Sequence, residues 1–333
     1  MKKTLLLVTL CCLCLGFTFA VSAGEKKASY NIALAVYGTK GEYVQMWINA
    51  MAEHPAVKSG LAKTTVFDGE YSHIRQDDQF NTIIAQKFDA AIFIPIDSTA
   101  GGATVKKSVE AGVPVVGSNG PVTSDLIVSY IGSDDVEAGY LVGKAVIKAM
   151  GGKGNVVILE GPVGQTGPMQ RGEGMLKALA ENPTVKVLES KTANWSRNEA
   201  MDLMQNWLVS HHDQINGIFG QNDEMALGAL AAVKSAGIQP VIPSAGIDGI
   251  SDAVRAVSRK EMLISVRQDA FTQSQGALDI ALRHLIGPEY KPMSECWKLY
   301  PEMPWGDGTA KLYSVPWTIV SPDNADKFLE EER

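Results

Sequence analysis

Gly217-Ile218-Phe219-Gly220-Gln221-Asn222-Asp223 reads as a short apolar strand that ends on two amides and an acid. A helical pattern follows over 224–236, Gly237 supplies the left-handed stop, and Ile238 opens the approach to the next apolar run. The same order stands earlier in the chain. There Ala91-Ile92-Phe93-Ile94-Pro95-Ile96-Asp97 is followed by a helical pattern and by Val109-Glu110-Ala111-Gly112-Val113-Pro114, with nearly the same spacing from acid to alanine. A strand that is reached each time through a helix is a parallel strand, because the chain must return along a crossover before it enters the sheet again. Part of the likeness is ordinary strand-to-helix grammar, but its recurrence points to two α/β units rather than one broad sheet.

Outward from these two segments the alternation continues. Strands are predicted over 32–36, 64–67, 90–95, 113–117, 128–131, 155–159, 185–189, 217–220, 241–246 and 263–266. Helical spacing of apolar residues is predicted over 74–87, 99–111, 137–150, 168–180, 197–209, 224–236 and 251–260. The fold class is therefore α/β, with parallel sheets covered by helices on both faces. The 333 residues fit about two domains, and 45% hydrophobic residues with 32 Gly and 15 Pro exclude a disordered or collagen-like chain. With 37 acidic against 30 basic residues, the net charge of -7 argues against nucleic acid or an anionic membrane as partner.

Residues 1–23 read as a signal peptide: Lys2 and Lys3 lead an apolar stretch from Leu5 to Phe19, and Val21-Ser22-Ala23 offers small residues for cleavage. At about 15 residues the stretch is short of the roughly 20 that span a bilayer. Cys11, Cys12 and Cys14 would leave with it, so Cys296 stands without a partner and is expected as a buried thiol.

In open parallel sheets, ligands bind beyond the carboxyl ends of the strands. The residues expected there are Tyr37, Tyr43, Asp97, Asn119, Ser133-Asp134, Trp195, Asn222-Asp223, Asp248 and Gln268. Amides and carboxylates can each grip two neighbouring hydroxyls, and an aromatic face covers the C–H side of a sugar ring. Each also has a plainer reading: Asn222, Asp223 and Asp248 suit helix caps, Trp195 suits a core, and Tyr37 and Tyr43 suit packing beneath a loop. No nucleophile with a base, no dinucleotide or phosphate loop and no metal cluster emerges. His211 and His212 are neighbours that point apart on a helix.

The block Gln221-Asn222-Asp223-Glu224-Met225-Ala226-Leu227-Gly228-Ala229-Leu230, with Gln170-Arg171-Gly172-Glu173-Gly174 and Gly246-Ile247-Asp248-Gly249, resembles the type I periplasmic sugar-binding proteins, nearest in look to the ribose-binding group. The resemblance extends from about Asn31 to Val320. It implies two Rossmann-like lobes joined by a three-strand hinge, with an amino-terminal lobe at 29–132 plus 269–315 and a second lobe at 133–268 plus 316–333. The crossings are expected near Gly132 to Asp134, Gln268-Asp269 and Val315-Pro316. It further implies that Asn222, Asp248 and Gln268 grip the ligand, with Trp195 stacking on it and Tyr43 in an aromatic loop over Lys40 to Val44. Tyr37 takes the place of a small polar contact and Asn119 that of an acid. The two arginines that clamp ribose fall on Gly120 and Met169, so a polyhydroxy ligand other than ribose is expected, with Lys40 or Arg267 as substitute donors.

The function so implied is capture of a monosaccharide or polyol in the periplasm by hinge closure, and delivery to the membrane permease of an ABC importer by a monomer without cofactor. A second reading keeps the fold but gives it a furanone, a nucleoside or another small metabolite, for transport or for a chemoreceptor. A third, an exported α/β enzyme, lacks a positioned nucleophile. The role of 291–311, which holds Cys296, Trp297 and Trp305, is left open by the sequence.

Overall fold

A computed structural model describes residues 27–239 and 242–331; the segment read as a signal peptide, with its three cysteines, lies outside them, as does Val241. Five strands, β1 (Tyr30–Val36), β2 (Ala62–Asp68), β3 (Ala90–Phe93), β4 (Val115–Ser118) and β5 (Tyr130–Gly132), belong to one sheet. β6 (Gly154–Glu160), β7 (Val185–Thr192), β8 (Gly217–Gly220), β9 (Ser244–Asp248) and β10 (Ile264–Arg267) belong to a second. β11 (Leu312–Ser314) is added to the edge of the first and β12 (Thr318–Val320) to the edge of the second. The connecting helices are α1 (Glu42–Ala52), α2 (Pro55–Lys58), α3 (His73–Ala85), α4 (Ser98–Glu110), α5 (Asp135–Ala149), α6 (Thr166–Ala180), α7 (Arg197–His211), α8 (Asp223–Ser235), α9 (Ser251–Ser258) and α10 (Ala270–Ile286), with α11 (Ala325–Glu331) last.

The sheet orders are β11-β5-β4-β3-β1-β2 and β12-β10-β9-β8-β6-β7, so the two halves repeat one topology. β3 and β8, the two strands whose sequences match, hold equivalent places. β1 is buried along nearly all its length because it lies inside its sheet, whereas β2 at the edge is mostly exposed or half-buried. β4 and β9 begin later than predicted, each directly after a proline, Pro114 and Pro243, which has no N–H for the ladder.

The sheets are not wholly parallel. β12 runs antiparallel to β10. The chain leaves β11 at the carboxyl end of the first sheet and crosses in three residues to the second, so it enters at the facing strand tips and runs back. The chain passes from one sheet to the other three times: after β5, after β10 and after β11.

Four helices went unread in the sequence, the short α2 and α11 and the longer α1 and α10. Residues 40–44, expected as a loop, run into α1, and Tyr43 sits in its first turn. α10 packs against β3, β4 and α1. Its buried face carries Thr272, Gln273, Ser274, Gln275 and Asp279, which hides the apolar period. These groups are satisfied internally: Ser274 Oγ donates to the Trp47 carbonyl at 2.7 Å and Gln275 Nε2 to that of Ala50 at 2.9 Å.

The segment 291–311 packs on α10. Asp279 accepts from Tyr290 Oη at 2.5 Å, Trp297 Nε1 at 2.7 Å and the Met293 and Ser294 amides. Burial pushes this carboxyl up, but His54 beside it and these donors outweigh burial and hold it below the usual carboxylate range. Cys296 is fully buried there, and burial pushes its thiol up to about 12, so it is no nucleophile. Tyr300 Oη donates at 2.9 Å to Asp269, the residue that caps α10 at the second crossing.

Candidate functional site

The carboxyl ends of the two sheets face each other across a cleft, and the lobes touch there. Ser98 N donates to the Gly164 carbonyl at 3.2 Å, Gln165 Nε2 to that of Pro95 at 3.3 Å and Thr166 Oγ1 to that of Pro121 at 3.3 Å. Between them lies a small cavity. The first lobe contributes Tyr37, Tyr43 and Asn119 to its lining, and the second contributes Trp195, Asn222, Asp248 and Gln268. No residue of 291–311 reaches it.

Several expected contacts lie elsewhere, and Ser133, Asp134 and Asp223 do not line the cavity either. Lys40 is exposed and, with Asp97, lines the adjoining outer cleft. Asp97 is spent as the cap of α4, its Oδ1 accepting from Ala100 N at 2.7 Å. Met169 is 70% exposed on α6 and does not line the cavity. Arg267 also stays outside, its guanidinium 5.2 Å from the centre of the Phe328 ring.

The guanidinium in the cavity is that of Arg171, which the sequence reading passed over although it stands within the quoted Gln170 to Gly174 block. Successive helical residues turn by about 100°, so positions 169 and 171 face opposite ways and only one can point inward. Arg171 Nε donates to Asp135 Oδ1 at 2.8 Å and Nη1 to the Gln221 carbonyl at 2.6 Å, while Asp248 Oδ1 lies 3.7 Å away. Its helix is seated by two glycines. A Cβ on Gly139 of α5 would come within 1.9 Å of the Arg171 carbonyl oxygen, and one on Gly174 within 2.0 Å of that of Val136, so α5 and α6 meet backbone to backbone.

Asp135 was overlooked too, because its neighbour Asp134 does the capping of α5. Trp195 is held by its Nε1, which donates to Gln165 Oε1 at 2.7 Å, and Arg171 lies 5.4 Å from its ring centre. Gly161 leaves room for the indole: a Cβ there would fall 2.2 Å from it. Tyr43 Oη and Asn119 Nδ2 both donate to Gln273 Oε1, at 2.9 and 3.3 Å, and Gln273 Nε2 donates to Ser133 at 3.1 Å.

The groups turned to the cavity are short of protein partners. Gln268 is 1% exposed, and neither its side-chain oxygen nor its nitrogen makes a hydrogen bond. Asn222 Oδ1 caps α8 through Met225 N at 2.9 Å, which leaves its amide nitrogen free. Asp248 accepts no hydrogen bond through its carboxylate, and burial pushes its carboxyl well above the usual range, against the pull of Arg171. Asn119, Trp195 and Asp248 all have positive φ (60°, 60° and 124°), an uncommon backbone conformation for residues other than glycine.

Asp223, read as one of the residues capping α8, instead ties three segments. It accepts from Gly249 N at 2.7 Å, Ile250 N at 3.1 Å and Ser265 Oγ. Burial pushes it up to about 7, against these donors. A folded-state pKa above the unfolded value means the folded chain holds the proton longer, so this contribution favours the fold at acid pH and is lost as pH rises toward 7. Unfolding free energy in urea should fall by on the order of 2 kcal/mol between pH 5 and 7 from this group. Asp223→Asn should flatten that slope; an unchanged slope would refute the assignment. His211 pairs with Glu189 at 3.1 Å, and the side chain of His212 lies outside the described residues. Among the described residues no group of His, Cys, Asp and Glu forms a metal-holding cluster.

The family model described as a periplasmic binding protein domain matches residues 32–289. A xylitol-binding protein of Mycolicibacterium smegmatis is 37% identical over 255 residues, covering 77% of this chain and 67% of its own. A putative rhizopine-binding protein of Rhizobium meliloti is 30% identical, covering 79% and 86%. Among solved structures, an ABC transporter solute-binding protein from Actinobacillus succinogenes with bound D-allose superposes with TM-score 0.76 at 28% identity, covering 90% of this chain and all of its own. One from Bacillus halodurans with bound myo-inositol gives 0.80 at 25%, covering 92% and 99%.

Proposed function

Because the chain belongs to the periplasmic binding protein family, we propose that it captures one small neutral polyol, a sugar alcohol or monosaccharide, between its lobes and hands it to the permease of an ABC importer. The lobes would be residues 29–132 plus 269–315 and 133–268 plus 316–333, turning about the three crossings. Closure would complete the site, since each lobe carries only part of it. Residues 1–23 would direct export and then be removed.

The observation that carries this reading is the Gln268 amide, buried with both polar atoms unpartnered. A buried amide without partners costs about 1–3 kcal/mol, which is tolerable where a ligand supplies the missing bonds. Beside it Asp248 offers oxygens and Asn222 and Arg171 offer N–H groups, a mixed set suited to hydroxyls, which both donate and accept. Trp195, Tyr37 and Tyr43 would face the C–H surfaces. The expectation against ribose rested on two missing guanidinium groups, at Gly120 and Met169; Arg171 supplies one of them, so ribose joins the compounds to be tested.

Sugar acids are disfavoured, because the one guanidinium that lines the cavity, that of Arg171, is already paired with Asp135. Thermal shift and calorimetry with xylitol, ribose, D-allose, myo-inositol and gluconate test the reading. At least one neutral compound should stabilise the chain, by about 2.7 kcal/mol at 100 times its dissociation constant, and gluconate should not. Response to nucleosides or furanones alone, or to none of these, would overturn it.

A further inference from the structure

We infer that Glu42, which lines no part of the cavity, is a positioning residue that latches the closed form by capping a helix of the opposite lobe. The inference rests on the two-lobe reading above. Glu42 opens α1 of the first lobe, and its Oε1 accepts from Ser251 N, the first residue of α9 in the second, at 3.0 Å. α9 has no side-chain cap of its own, since Ile250 stands at its N-cap position. Its first turn does carry Asp252, but that carboxylate is turned to Arg197 and Arg255.

Three successive backbone N–H groups, those of Gly249, Ile250 and Ser251, meet carboxylates at this turn. Asp223 of the same lobe takes the first two, and Glu42 from across the cleft takes the third. Such a run of amides at a helix start is a site for negative charge. It is filled from within one lobe only in part, and opening the cleft would leave the Ser251 amide to water. Among the described residues this is the one hydrogen bond between lobes that uses a charged side chain; the bonds at Gly164, Gln165 and Thr166 are neutral.

The bond joins two ligand-facing positions. Tyr43 follows Glu42 directly, and Asp248 stands three residues before Ser251. Ile250 and Val254 of the α9 region share one buried apolar cluster with Tyr43, Val44 and Trp47. The latch therefore fixes the spacing of Tyr43 and Asp248 across the cavity without touching what lies between them.

A bond made only in the closed form slows release and leaves capture unchanged. Xylitol and myo-inositol binding by stopped flow should show a dissociation rate about tenfold faster for Glu42→Ala and about threefold faster for Glu42→Gln, with equal association rates and equal unliganded melting temperatures. Glu53→Ala, an exposed change at the end of α1, should match the wild type. Spin labels at Lys106→Cys and Glu173→Cys read the distance between lobes with and without xylitol; Glu42→Ala should shift the distribution outward. Equal dissociation rates together with an identical distance distribution would overturn the latch. Should the wild type bind none of the neutral compounds named above, the ligand reading fails by itself, and the unliganded distance distribution alone decides the latch.

Discussion

Arg171→Met is expected to lower the unfolding free energy by about 3–5 kcal/mol, the usual cost of removing one partner from a buried ion pair, and to abolish capture of any polyol the wild type binds. The guanidinium serves three acceptors at once: Asp135, the Gln221 carbonyl and, at longer range, Asp248. Methionine matches its length but leaves Asp135, which is almost fully buried, without a counter-charge. Adding Asp135→Asn should recover part of the stability and none of the binding, because the donor to the ligand is still gone. Urea titrations with calorimetry on both variants measure this. A deficit under 1 kcal/mol, or retained affinity, would show that Arg171 neither anchors the cavity nor faces its ligand.

The fold was legible where burial is apolar. β1 and β8 are short runs buried almost throughout, and their recurrence after helices suffices to read two parallel sheets. It was not legible where burial is polar: α10 buries amides and hydroxyls against α1, and neither helix showed itself. Site residues at strand tips, such as Asn222, Asp248 and Gln268, could be placed because a tip has one direction to face. On helices the direction depends on the register against a neighbour. Met169 and Arg171 differ by half a turn, and the glycine contact of α5 with α6 that decides between them is a tertiary fact. Glu42 carried no signal at all, since its partner is a backbone amide in the other lobe.

Gln268→Leu is expected to move stability and binding in opposite directions. The amide is buried with neither polar atom satisfied, and leucine, of similar size, removes both debts to solvation. The closed form without ligand should gain about 1–2 kcal/mol. Affinity should fall about 100-fold, the equivalent of two lost hydrogen bonds at roughly 1.4 kcal/mol each. Gln268 N also donates to the Asp248 carbonyl at 3.1 Å, and the residue stands where the chain leaves β10 for α10 of the other lobe, with Asp269 next in line. A ligand held by this amide would thus pull on the crossing itself, which links occupancy to closure more directly than any contact within one lobe. Gln268→Ala should lose the same affinity without the gain in stability, because it leaves a void in place of the side chain. Paired melting and calorimetric measurements on the two variants decide the matter. If Gln268→Leu binds as well as the wild type, or is less stable without ligand, the amide is a structural group whose partners lie elsewhere, and the cavity loses the feature that marks it as a place for hydroxyls.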